Sequence, residues 1–201
     1  MMNFTNFQAS VLTGLILSDG TLVKRNTGPK AGAYFSLTQT ANPNNIYVEA
    51  HIDLLMFVFE LFKDFTNWTE PRYNFAKINN KSYKYIYFNT IINPLFTSLH
   101  ENWYKNGVKT VPLNISQLLD PVALAFWAMG DGGKCGAGFH LNTVAFGNSG
   151  VELLVDTMKS NFNINCSIHS RNRIYISSKE LHKFKQIVTP YFLSSFKYKL
   201  I

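Results

Sequence analysis

Two apolar runs in this chain each end in an aspartate followed by a glycine. They are Leu12–Gly20, LTGLILSDG, and Leu124–Gly132, LAFWAMGDG. Apolar spacing predicts a helix over Phe7–Leu17, with Asn3 or Thr5 as its cap and Gly20 as a left-handed stop. It predicts another over Pro121–Met129, with Pro121 in the first turn. A carboxylate at the C-terminal end of a helix meets the negative pole of the helix dipole, at a cost of a few tenths to about 1 kcal/mol. One such aspartate is an ordinary solvated turn residue. Two at matching places call for a compensating cation, and carboxylate and carbonyl oxygens suit a hard divalent ion such as Mg²⁺. Small residues (Gly14 and Ser18 in the first run, Ala125, Ala128 and Gly130 in the second) would let two such helices lie backbone to backbone.

The segments after the two runs also repeat. TLVKR and AYFSLTQT flank the turn-like NTGPKAG and read as a hairpin. Ile46–Phe62 has helical spacing at Ile52, Leu55, Met56, Phe59 and Phe62. RYNFAKI and SYKYIYF flank Asn79-Asn80, a second hairpin. Ile91–Asn106 reads as a helix, and NGVKTVPLNIS as a linker. In the second half GFHLNTVAF is a strand candidate and Val151–Phe162 a helix. CSIHSRNRIYIS is a hairpin and Lys179–Val188 a final helix. The order helix–hairpin–helix–hairpin–helix thus occurs twice, which predicts an α+β protein with halves at 1–110 and 121–201 joined by a linker at 111–120. Each half is short enough to need a core shared with the other.

The charge balance points to a polyanionic partner. Of 201 residues, 19 are Lys or Arg and 12 Asp or Glu, a net charge of +7. The strands are half polar: Tyr83, Tyr85 and Tyr87 alternate with Lys84, Ile86 and Phe88, and His169, Arg171 and Arg173 with Ile174 and Ile176. Such sheets can lie in the major groove of a duplex. Other chemistries lack their residues. Cys135 and Cys166 form no CxxC pair, His51, His100, His140, His169 and His182 form no close pair, and there is no phosphate-binding glycine loop. Leu54–Phe62 is too short to span a bilayer, and the apolar start has no preceding Lys or Arg, so neither a membrane span nor a targeting peptide is expected. Frequent Asn, Ile, Lys, Phe and Tyr hint at AT-rich, organellar coding DNA.

The two runs resemble the motif of the LAGLIDADG homing endonucleases. LTGLILSDG agrees at the first, third, fourth, fifth, eighth and ninth positions, and LAFWAMGDG at the first, second, eighth and ninth, with Phe126 and Trp127 in place of Gly-Leu. The phrase LAFWAMGDGGK is similar to the second motif of single-chain, two-motif members. The likeness extends to the compact omega type encoded in mitochondrial introns, and takes in KTVP (Lys109–Pro112) and KYKL (Lys197–Leu200). The resemblance implies two pseudo-symmetric αββαββα halves, saddle-shaped antiparallel sheets along double-stranded DNA, and a two-helix interface in a monomer with an internal pseudo-two-fold. It also implies cleavage of both strands to leave 3′ overhangs with Mg²⁺, for which Mn²⁺ or Ca²⁺ can substitute in binding. Carried over, Asp19 and Asp131 are the metal ligands, the Ser18 and Gly130 carbonyls assist, and Lys109 and Lys199 are the basic active-site residues. Gln39 is a polar residue behind the first acid, matched in the second half by Asn142 or Thr143. Candidate DNA contacts are Lys24, Arg25, Lys30, Gln39, Arg72, Lys77, Lys81, Lys84, Asn142, His169, Arg171 and Arg173. The competing expectations are an intron maturase or nucleic-acid-binding protein of the same fold without cleavage, and a structural or small-molecule protein whose acid–glycine ends are caps.

Overall fold

The computed structural model describes residues 3–25 and 31–201, so Lys30 lies outside the described residues. In chain order the elements are α1 (Asn6–Leu17), β1 (Thr21–Arg25), β2 (Gly32–Thr40), α2 (Val48–Leu61), β3 (Arg72–Ile78), β4 (Lys81–Asn89), α3 (Pro94–Trp103), β5 (Tyr104–Lys105), β6 (Val108–Lys109), α4 (Ile115–Leu118), α5 (Pro121–Asp131), β7 (Gly132–Cys135), β8 (Gly138–Leu141), α6 (Gly147–Phe162), β9 (Cys166–His169), β10 (Arg173–Ile176) and α7 (Ser178–Val188), with 3₁₀ turns between and after them. β1–β4 form an antiparallel sheet in the order β1-β2-β4-β3, and β7–β10 one in the order β7-β8-β10-β9. The two orders correspond strand for strand, which is the duplication expected of two αββαββα halves. Two compact units cut across those halves: one joins the segment ending at Ser18 to Glu101–Ile201, the other is Asp19–His100.

In the first unit α1 starts at a capping box. Thr5 Oγ1 accepts from the Gln8 N–H at 3.1 Å, and Gln8 Oε1 accepts from the Thr5 N–H at 2.9 Å. α5 starts at Asp120, whose Oδ1 accepts from the Ala123 N–H at 2.8 Å. Ser10–Leu17 and Ala123–Met129 are wholly buried. The two helices pack through small residues: a Cβ at Gly14 would stand 2.3 Å from the Ala123 carbonyl oxygen and 2.9 Å from the Trp127 nitrogen. Ser10 Oγ donates to Asp120 Oδ2 at 2.5 Å. Four residues along α1, from Ser10 to Gly14, therefore move the contact along α5 in its own chain direction, from Asp120 to Ala123–Trp127. The helices run parallel and end on the same side. Phe139 against Phe184, with ring centroids 4.9 Å apart, closes the core between β8 and α7.

The second unit packs α2 and the start of α3 on one face of its sheet, around Phe35, Phe59, Phe62, Phe65, Phe88 and Phe96. Asn79 and Asn80, at φ 48° and 60°, close the β3–β4 hairpin as expected.

Several expectations need correction. Gly20 is not left-handed. The break falls on Ser18, at φ −120° and ψ −117°, whose hydroxyl turns back to the Gly14 and Leu15 carbonyls. The buried stripe of α2 is Ala50, Leu54, Leu55, Val58 and Phe59, while Met56 is 43% exposed. The single period that holds Leu54, Val58 and Phe62 inward turns Met56 out. α3 is shorter than Ile91–Asn106. The stretch read as a linker is structured: Asn106 and Gly107, both at positive φ, close a β5–β6 hairpin, and α4 follows. β7 was not anticipated. Its sequence, GGKC, has no strand formers. Gly132 is required because a Cβ there would stand 2.4 Å from the Ala128 carbonyl oxygen and 2.6 Å from the Phe139 ring. GFHLNTVAF is a strand only to Leu141, and Arg171, at φ 60°, belongs to the β9–β10 turn rather than to a strand face.

Candidate active site

Asp131 is the last residue of α5, and Asp19 follows the end of α1 after one residue, Ser18. Asp19, exposed, belongs to the second unit. The Gln39 Nε2 donates to its Oδ2 at 2.8 Å. Gln39 is on the core side of β2 and only 4% exposed. Its Oε1 lies 2.7 Å from His51 Nδ1 on α2. An amide oxygen only accepts, so that ring nitrogen carries the proton. Gln39 thus stands behind Asp19, bonded to its carboxylate. Its second assignment, as a DNA contact, is corrected: a side chain this buried, with both amide ends engaged, does not reach a groove.

Asp131, the last residue of α5, opens into a cleft of about 420 Å³ in the first unit, with Gly130, Gly132, His140, Asn142, Val144, Arg171 and Arg173. His140 is held below the ordinary imidazole range, first by burial and then by the Arg173 and Lys199 cations. Its Nδ1 is buried and has no hydrogen-bond partner among the described residues. The register identifies the counterpart of Gln39. Gly132 pairs with Leu141 and the Asn142 N–H donates to the Asp131 carbonyl at 3.0 Å, so Thr143 lies one residue beyond the partner of the acid. In the second unit Thr21 pairs with Ser36, which continues to Asp19 opposite Thr38 and sets Gln39 one residue beyond. Thr143 is 1% exposed, and its hydroxyl donates to the Asn172 carbonyl.

The two lysines mark the helix ends. Lys109 Nζ donates to the Ile16 carbonyl at 3.0 Å and to that of Ser18 at 3.5 Å. Lys199 Nζ donates to the Met129 carbonyl at 2.5 Å and to that of Gly130 at 3.1 Å. Neither helix has a basic residue in its last turn, so these lysines, distant in sequence, supply the cation that a helix C-terminus favours. The Ser18 and Gly130 carbonyls each keep a second lone pair.

Cross-strand pairing sorts the remaining basic candidates. Arg25, Arg72 and Lys81 share the sheet face turned away from α2, with Tyr34, Tyr85 and Tyr87. There the Arg25 guanidinium lies over Tyr34 at 5.6 Å and that of Arg72 over Trp68 at 4.3 Å. Lys24, Lys77 and Lys84 have the parity of Ala33, Ile86 and Phe88 and project from the helix-bearing face, so the expected set does not form one surface. In the other sheet His140, Arg173, Tyr175 and His169 share the open face, with the His169 ring stacked 4.3 Å from Tyr175. Arg171 and Asn142 reach the Asp131 cleft from turns. His51 and His140 were missed, since a lone histidine in an apolar helix or strand carries no mark of its partners.

Comparison with known proteins agrees with this layout. No helix among the described residues is long and apolar enough to cross a membrane. A cytochrome b mRNA maturase, bI2, of Debaryomyces hansenii is 32% identical over 94% of this chain and 72% of its own length. An intron-encoded endonuclease, ai4, of Dictyostelium discoideum is 33% identical over 64% of this chain and 77% of its own. The structure of the homing endonuclease I-WcaI bound to its DNA recognition sequence superposes with a TM-score of 0.85 at 23% identity, covering 100% of this chain and 88% of that one, and shows the same fold. The model of the LAGLIDADG DNA endonuclease family matches residues 9–184, across both acid–glycine runs, and the chain belongs to that family.

Proposed function

We propose that this chain is a site-specific homing endonuclease, encoded in an organellar intron and acting as a monomer. It hydrolyses both strands of a long asymmetric duplex target with a divalent cation, Mg²⁺ in the cell, and leaves 3′ overhangs. The observation that carries the reading is the pair of parallel motif helices, α5 ending at Asp131 and α1 leading through Ser18 to Asp19, each closed by a lysine on the carbonyl before its aspartate.

The residues fit such a cation. The donors are all hard oxygens: the carboxylates of Asp19 and Asp131, and the second lone pairs of the Ser18 and Gly130 carbonyls. No group of three or more His, Cys, Asp or Glu among the described residues could hold a metal unaided. Two carboxylates completed by water and substrate phosphate are the usual setting for Mg²⁺. Bound there, the cation would supply Lewis acidity and a water of lowered pKa. Asp19 and Asp131 would orient it, and Gln39 would hold one oxygen of Asp19. Lys109 and Lys199 would stabilise negative charge on the phosphate and need not act as bases. The sheet faces bearing Arg25, Arg72, Arg173 and His169 would grip the duplex, with Arg171 and Asn142 beside Asp131.

Plasmids carrying candidate targets test this. The unsubstituted chain should linearise its target only with Mg²⁺ or Mn²⁺, and Asp19→Asn and Asp131→Asn should each abolish cleavage while retaining DNA binding in Ca²⁺. Cleavage unaffected by either substitution would overturn the site assignment. The maturase name of the Debaryomyces relative favours a second activity, assistance to intron splicing; a splicing assay with the host intron RNA would reveal it.

A further inference from the structure

We infer that His51 is a positioning residue for the first acid, acting through Gln39. The inference rests on the reading of Asp19 as a cation ligand. Three groups form one chain within the second unit: His51 Nδ1 to Gln39 Oε1 at 2.7 Å, and Gln39 Nε2 to Asp19 Oδ2 at 2.8 Å. Each link fixes the next. A carboxylate only accepts, so Asp19 selects the NH₂ end of the amide. The other end is then an acceptor and needs a donor, which the His51 Nδ1–H provides. Without that donor the buried carbonyl of Gln39 is left unsatisfied, and the amide gains by rotating to another partner. His51 therefore selects one rotamer of a flexible side chain, and through it which carboxylate oxygen of Asp19 is committed to the protein.

The second half is built differently. At the register of Gln39 stands Thr143, whose single hydroxyl proton is given to the Asn172 carbonyl. A short β-branched side chain with few rotamers needs no companion to orient it. The device of histidine and glutamine thus belongs to one half alone.

Two measurements test the inference. In metal-free protein labelled with [¹⁵N]histidine, a long-range ¹H–¹⁵N correlation near pH 8, where neutral rings dominate, should show the proton of the His51 ring on Nδ1; the signal is identified by its loss in His51→Asn. A proton on Nε2 alone overturns the proposal. The second reads the Mg²⁺ concentration for half-maximal cleavage of a plasmid bearing a target selected from a randomised duplex library. His51→Leu should raise it about 10- to 100-fold, the usual range for removing a partner behind a metal ligand. His51→Asn, whose Nδ2–H falls where Nδ1–H was, should recover most of the loss. Equal defects in the two variants, or a defect that no Mg²⁺ concentration changes, overturn the proposal. Asp19→Asn separates the layers. If it cleaves normally, the reading of Asp19 falls and the inference with it. If it is inactive while His51→Leu keeps its Mg²⁺ requirement, only the inference falls.

Discussion

Gly14→Ala sets two physical effects against each other. In an exposed helix this change raises stability by about 1 kcal/mol, because alanine loses less backbone entropy. Here the new methyl would stand 2.3 Å from the Ala123 carbonyl oxygen, 2.8 Å from Phe126 Cβ and 2.9 Å from the Trp127 nitrogen, where ordinary contact begins at 3.4 Å. Two of the three neighbours are backbone, so no rotamer change relieves the clash, and α1 and α5 must part by about 1 Å. Overpacking a buried site costs about 1–3 kcal/mol, and the rigid neighbours put this site at the upper end. Taking about 3 kcal/mol against the helix gain of about 1 leaves a net loss near 2 kcal/mol. For a chain of this size that is a fall in Tm of about 4–8 °C. Thermal unfolding followed by circular dichroism, with guanidinium unfolding as a second measure, gives the answer. A Tm that rises, as helix propensity alone requires, would refute the close approach of the two motif helices.

Lys199→Met removes the ammonium from the Met129 and Gly130 carbonyls. It should cost about 0.3–2 kcal/mol of stability by guanidinium unfolding, the range for a cation at a helix C-terminus, yet reduce single-turnover cleavage far more. His140 has its folded-state pKa lowered, so the unfolded chain takes up a proton first. The stability that its neutral ring contributes is full above the unfolded value of 6.5 and is lost as pH falls through and below it. Unfolding curves from about pH 7.5 to about 5.5 should therefore show a decline that is shallower in His140→Gln. Arg173→Ala should weaken DNA binding across sequences and lower the slope of log K against log salt by about 1, as expected for one lost phosphate contact.

Where one local signal decides a structure, the sequence shows it. Asn79-Asn80 between two patterned runs marks a tight turn, and the two acid–glycine ends announce each other by repetition, whereas the choice of Thr5 over Asn3 as the cap of α1 came with its bonds to Gln8. Elements fixed by tertiary pairing do not show. β7 is a strand because β8 offers an edge and because Ala128 and Phe139 leave room for nothing larger than Gly132. Whether Met56 or Leu54 faces inward depends on how α2 settles on its sheet, and the apolar pattern supports both. The acids and lysines of the candidate site were legible as residues, whereas the choice of Thr143 over Asn142 needed the register. His51 was hidden altogether, since its importance lies in a bond to a residue on another element.

The lysine that closes α5 lies 70 positions beyond the carbonyl it holds, and the one that closes α1 lies 93 beyond. A growing chain on the ribosome thus makes each motif helix long before the residue that neutralises its end. With synthesis at about 5–20 residues per second, several seconds separate Asp131 from Lys199. During that interval the end of α5 lacks its cation, so a chain broken off before Lys199 would carry both aspartates and an α5 whose last carbonyls have no lysine to hold them.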